Sequence, residues 1–132
     1  MILSKDSKSL YTCDFGGVVK IWSFDDHDFS LNSVFSISNS SSITSLTVTE
    51  SGYLFIADAL GSLKQINIED QKIEWDFFYI HDTSIITMVL WNESSIFTCD
   101  NKGFIKNWNV KDQCVHSNVD ADHKGSIISV AL

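Results

Sequence analysis

Apolar and polar residues alternate in short runs along the chain, and helical spacing nowhere persists for more than a turn. The runs "SITSLTV" (42–48), "SIITMVL" (84–90) and "SIISVAL" (126–132) are β-branched and apolar, with a partial period of two. Such runs predict strands. Each of the first two is followed by a polar turn and a second predicted strand, "YLFIAD" (53–58) or "SIFTCD" (95–100), and "SLYTCD" (9–14) matches these near the N-terminus. A glycine-bearing turn comes next, where a positive φ costs a glycine little. A third strand then reads "GVVKIWSF", "GSLKQINI" or "GFIKNWNV", and a fourth, more polar one reads "SLNSVFSI", "KIEWDFFY" or "DQCVHSNV". The polar fourth strand is expected at a solvated outer edge.

These runs belong to a repeat. Asp14, Asp58 and Asp100 are spaced 44 and 42 residues apart, and Gly17, Gly61 and Gly103 follow each at the same offset. Trp22, Ile66 and Trp108 match, as do Lys20, Lys64 and Lys106. Four short strands in a unit of about 43 residues predict the blade of a β-propeller. The chain reads as an all-β partial propeller of three four-stranded antiparallel blades, in units of approximately 1–41, 42–83 and 84–125. Residues 126–132 are expected to be a first strand that completes the N-terminal or a neighbouring blade, because residues 1–3 supply only a stub. Closed rings need about 4–8 blades. Three blades therefore imply a larger propeller, or copies that close a ring together.

Composition narrows the functional classes. The 132 residues are 44% hydrophobic, enough for a core, and no run approaches the length of a membrane span. A net charge of −8, with nine thinly spread Lys and Arg, argues against nucleic acid as a partner. No membrane partner is expected. Cys13, Cys99 and Cys114 are odd in number and fit no CxxC spacing. They read as reduced thiols, which with the polar N-terminus points to the cytoplasm or nucleus. Cys13 and Cys99 are expected to be small buried residues. No metal, cofactor or catalytic residue is expected, since no phosphate loop, paired catalytic carboxylates or serine elbow occurs. Trp75 and Trp91 read as packing residues more than as surface anchors.

Period, strand order, "VVKIWSF" and "FIKNWNV", the preceding "TCDFGG" and "TCDNKG", and the openings at His81 and His123 together resemble the WD-repeat (Trp-Asp) family of β-propellers over essentially the whole chain. The repeats are degenerate: Trp-Ser, Ile-Asn and Trp-Asn stand where the family has Trp-Asp. The resemblance implies a hydrogen-bonded tetrad of His, Ser/Thr, Asp and Trp. By position the His is His81 and His123, with Asn39 in the first full unit. The Ser/Thr is Thr12 and Thr98, with Ile56, and the Trp is Trp22 and Trp108, with Ile66. The Asp is expected six residues before the Trp, where Gly16, Leu60 and Lys102 stand, so the tetrad Asp is expected to be missing. Asp14, Asp58 and Asp100 lie two residues earlier and are expected to cap their turns through backbone N–H groups.

The same resemblance implies a non-enzymatic scaffold for protein–protein interaction, part of a larger propeller or multiprotein complex. Its partner surface is expected at the turns 14–17, 58–61 and 100–103 and at the loops 38–42, 80–84 and 121–125. Phe15, Asp14, Asp58, Asp100, Asn101 and Lys102 are the candidate partner-binding residues, the three Asp forming a charged ring. Trp22, Trp108, Gly17, Gly61, Gly103, Thr12, Thr98, His81 and His123 are expected to be structural. Two other readings stand beside it. Thr12, Asp14 and Gly16 resemble the Asp-box of sialidase-like propellers, and "NIEDQKIEW" (67–75) resembles a quinoprotein-like repeat, so a sugar or a cofactor is the alternative ligand. A purely structural subunit of a large assembly is the third.

Overall fold

The computed structural model describes residues 1–24, 28–37 and 41–131. The calls on Asn39 and on most of the 38–42 loop lie outside these residues.

The described residues form twelve strands and no helix. The first blade comprises β1 (Ile2–Leu3), β2 (Ser9–Cys13), β3 (Val18–Phe24) and β4 (Phe29–Ser36). The second comprises β5 (Ile43–Val48), β6 (Tyr53–Asp58), β7 (Leu63–Asn67) and β8 (Lys72–Phe77). The third comprises β9 (Ile85–Asn92), β10 (Ser95–Asp100), β11 (Phe104–Asn109) and β12 (Cys114–Asp120). Within each blade the strands pair antiparallel in chain order, so each sheet is a simple meander. The strand predictions therefore stand, with ends displaced by a residue or two. The exception is 126–132: residues 126–131 are in no strand and pair with none of the three blades.

The first strands sit innermost, with β5 against both β1 and β9. The middle blade is thus enclosed on two sides. Leu54 to Asp58 and Leu63 to Ile66 are buried without a break, and Phe55, Leu54, Ile56, Leu63 and Ile66 are among the largest fully buried side chains. The fourth strands face solvent as expected; β12 is exposed throughout.

The outer blades each turn one face away from the middle one. On the first blade Leu10, Trp22 and Leu31 are cross-strand neighbours on that face, and Leu31 is exposed. Trp22 is consequently only half-buried, not the core residue expected, and stacks on exposed Phe29 at 5.1 Å. Trp108 faces the middle blade and is buried against Phe77. Trp75 and Trp91 are both surface residues: Trp75 stands on an outer strand at the rim of the seam with the third blade, and Trp91 lies on the third blade's outward face.

All three blades carry a register shift at one matched place between third and fourth strands: Ile21/Trp22, Gln65/Ile66 and Asn107/Trp108. A bulge increases local twist, and its repetition gives the three sheets a common shape.

Candidate functional site

The antiparallel meander puts the turns β2–β3, β6–β7 and β10–β11 at one end of the blades, together with the connection from β8 to β9. This loop face is built by one turn written three times. Asp14 Oδ1 accepts the N–H groups of Gly16 and Val18 at 2.9 and 3.0 Å. Asp58 Oδ1 accepts those of Leu60 and Ser62, both at 2.9 Å. Asp100 Oδ1 accepts those of Lys102 and Phe104, both at 2.9 Å. The capping role expected of the three Asp is present in each. Gly17, Gly61 and Gly103 close the turns with φ of 83°, 80° and 91°.

The turn glycines also hold the next connection. Their carbonyls accept N–H groups from Ile37, His81 and Ala121 respectively. At Gly61 a Cβ would lie 2.2 Å from the carbonyl oxygen of His81 and 2.6 Å from that of Thr83. Backbone passes so close there that only glycine fits, which fixes where the His81 loop sits.

His81 occupies the seam between second and third blades. Its Nδ1 lies 3.0 Å from Asp100 Oδ2 and its Nε2 2.8 Å from Thr98 Oγ1. The tetrad carboxylate expected to be missing is therefore present in the third blade, and Asp100 supplies it. A carboxylate has two oxygens: Oδ1 closes the turn while Oδ2 takes the ring N–H. With Asp100 as acceptor, Nδ1 carries the proton and Nε2 accepts from the Thr98 hydroxyl. Burial pushes the His81 pKa down, and this outweighs the raising effect of Asp100, so the ring is neutral. Burial pushes the Asp100 carboxyl up, but the N–H groups of Phe104 and Lys102 and the His81 ring outweigh it and hold it below the usual range.

His, Asp and Thr in hydrogen-bonded series form a constellation that catalysis uses elsewhere. Here His81 is 1% exposed and Thr98 0%, so the group touches neither solvent nor a ligand surface. It joins the β8–β9 connection to β10 instead. In the first blade the tetrad is reduced to Trp22 Nε1 donating to Thr12 Oγ1 at 3.0 Å. In the second blade buried Ile56 and Ile66 replace it with apolar packing. His123 is exposed and makes no hydrogen bond through its ring among the described residues.

The surface of the loop face differs from the expected charged ring. Asp58 and Asp100 are each 3% exposed and turned inward, which leaves Asp14 as the exposed carboxylate of the three. Asn101 and Lys102 are exposed at the third turn. Phe15 stands 80% exposed at the tip of the first turn. Sequence reasoning missed Phe78 and Tyr79, which follow β8 and are 64% and 67% exposed. Tyr79 has φ of 54°, a region bulky residues seldom occupy, and its N–H is bonded to Ser62 Oγ. Lys64 lies 5.3 Å from the Phe78 ring centre and is paired with Asp76. The only available signal was "DFFY", read as the end of a strand.

Burial raises the pKa of both Cys13 and Cys99, favouring the unreactive thiol. Among the described residues no three His, Cys, Asp or Glu side chains gather as metal ligands.

No family model and no curated protein matches the chain. Solved structures do. "Structure of U3-55K" superposes with a TM-score of 0.79 at 17% identity, covering 95% of this chain and 37% of that one. "Crystal structure of RRP9 WD40 repeats" superposes with a TM-score of 0.72 at 16% identity, covering 89% of this chain and 34% of that one. The chain thus spans about a third of the length of these propellers. Period, meander, repeated Asp turns, the His81–Asp100–Thr98 network and these superpositions agree: the fold of this chain is that of a WD-repeat β-propeller, of which it makes three blades.

Proposed function

We propose that the chain is a non-enzymatic interaction module, three blades of a larger propeller whose loop face docks protein partners. The observation that carries this reading is the display of Phe15, Phe78 and Tyr79 on a loop face whose turns are clamped by Asp14, Asp58 and Asp100. Exposed aromatic side chains on rigid supports suit protein contacts, because little conformational freedom is lost when they are covered. The half-open outer faces of the first and third blades support the larger ring.

A photo-crosslinking side chain placed at position 15 or 79 tests the reading, with exposed position 8, in the β1–β2 turn at the opposite end of the blades, as control. Crosslinking to one recurrent protein from positions 15 and 79, lost on adding excess unlabelled chain and absent from position 8, is the expected result. Equal or greater labelling from position 8 would overturn it.

A further inference from the structure

At the end of the blades away from the Asp turns, a groove of about 550 Å³ opens between the second and third blades. Phe55, Gln65, Glu74 and Trp75 of the second blade and Glu93 and Lys111 of the third are among its lining residues. Phe55, Gln65 and Trp75 are direct cross-strand neighbours on β6, β7 and β8. Cross-strand partners project to the same face, so the three form a row along the groove.

Two features of that row call for a ligand. Gln65 is 7% exposed, and its Oε1 has no hydrogen-bond donor. A buried carbonyl oxygen without a donor is destabilising, and native structures seldom leave one so. Trp75 is 43% exposed at the rim beside it. The matched pairs are Ile21 with Ser33 in the first blade and Asn107 with Ser117 in the third; Asn107 Oδ1 also lacks a donor, but only the second blade sets an indole beside its amide. The pairing of an unpartnered amide with an indole is particular to this groove.

The electrostatics indicate the sign of the ligand. Two carboxylates line the groove, against Lys111 as the one cation among its lining residues. Glu74 Oε1 accepts only a long bond from Asn67 at 3.2 Å. Glu93 is fixed by the Ser51 hydroxyl and by the N–H groups of Glu50 and Ser51. The net charge of −8 draws cations to the whole molecule. A flat cation rich in N–H donors satisfies every element at once. It stacks on an indole, donates to an amide oxygen and faces carboxylates, as a guanidinium does and a compact ammonium does less well.

We propose that this groove binds an arginine side chain of a partner polypeptide, with the guanidinium against Trp75, donating to Gln65 Oε1 and facing Glu74 and Glu93. The site lies at the other end of the blades from the loop face and does not depend on that face's role.

The test uses the whole 132-residue chain and the peptide acetyl-Gly-Gly-Arg-Gly-Gly-amide, followed by the NMR signals of the Trp75 indole and the Gln65 side-chain amide. Saturable shifts of both are expected, with binding at least about tenfold weaker for the citrulline peptide, which keeps the shape and loses the charge. Gln65→Leu is expected to weaken binding at least about fivefold without lowering stability, since it removes an unpaired acceptor. Trp75→Ser, which installs the residue the other blades carry here, keeps the test open should Gln65→Leu fail to fold, and is expected to abolish the shifts. Phe15→Ala is expected to bind unchanged, which separates this site from the loop face. Citrulline binding as tightly as arginine, unchanged affinity in Gln65→Leu or Trp75→Ser, or no saturation by about 10 mM peptide would each overturn the proposal.

Discussion

Asp100 holds the ring of His81 at 3.0 Å through one carboxylate oxygen while its other oxygen closes the β10–β11 turn. Two blades are joined by a single side chain that cannot change its charge without disturbing both. The two pKa shifts have the same consequence in acid. The folded-state pKa of His81 is lowered, so below about 6.5 the unfolded chain takes up a proton that the folded chain refuses. Asp100 is depressed, so its contribution is lost as the pH falls further, below the ordinary carboxylate range. Urea melts are expected to show stability declining from pH 7 to 5.5 and again below 4. In His81→Phe the upper part of that decline is expected to shrink. An unchanged slope in this variant would place the pH response elsewhere.

Gly61→Ala and Gly52→Ala separate crowding from backbone strain. Both glycines have positive φ, 80° and 87°, but a Cβ at Gly52 meets nothing within 4 Å while one at Gly61 runs into the His81 and Thr83 carbonyls. The left-handed conformation alone costs about 1–2 kcal/mol. Gly52→Ala is expected to lose about that amount, and Gly61→Ala more. Equal losses in chemical melts would show that the His81 loop yields without cost.

The two matched tryptophans are expected to differ. Trp108→Ala leaves a cavity between two blades and is expected to cost about 3–5 kcal/mol. Trp22→Ala removes a half-buried ring with an exposed stacking partner and is expected to cost less than half as much. Equal values would mean that the outer face of the first blade is covered in solution.

That face bears on association as well. Leu3, Phe29, Leu31 and Val34 of the first blade are 45%, 56%, 46% and 49% exposed, and Trp91 and Val119 of the third are 58% and 51%. Large contiguous apolar surfaces are seldom left to water. Light scattering across a concentration series is expected to show the isolated chain associating. A concentration-independent monomer with a cooperative melt would refute this.

Much of this architecture was legible in the sequence because a meander of short strands repeats its turn residues at a fixed period. Asp14, Asp58 and Asp100, each followed by a glycine at the same distance, mark both the turns and the unit length. The double role of Asp100 was not legible. Counting six residues back from Trp108 finds Lys102, whereas the carboxylate that reaches His81 stands at the strand end, two residues earlier. The bulge before Trp22, Ile66 and Trp108 was invisible because the fourth strands are polar and their register leaves no apolar pattern. Gln65 escaped notice, and Trp75 was read as a packing residue, for the opposite reason. A search for matched positions passes over a place where one unit departs from the other two.

Enclosure of β6 and β7 by a blade on either side sets an order in which the molecule comes apart. Amides paired between Leu54 and Ile66, or between Ile56 and Lys64, open only when a neighbouring blade has left. Those of β12 and β4 exchange with solvent through local fraying. Hydrogen exchange would therefore reveal a protected centre and two permissive ends. A propeller that grows by adding blades to this arc would move that protection outward, converting the fraying edges into interior and raising the unfolding barrier of the whole with each blade added.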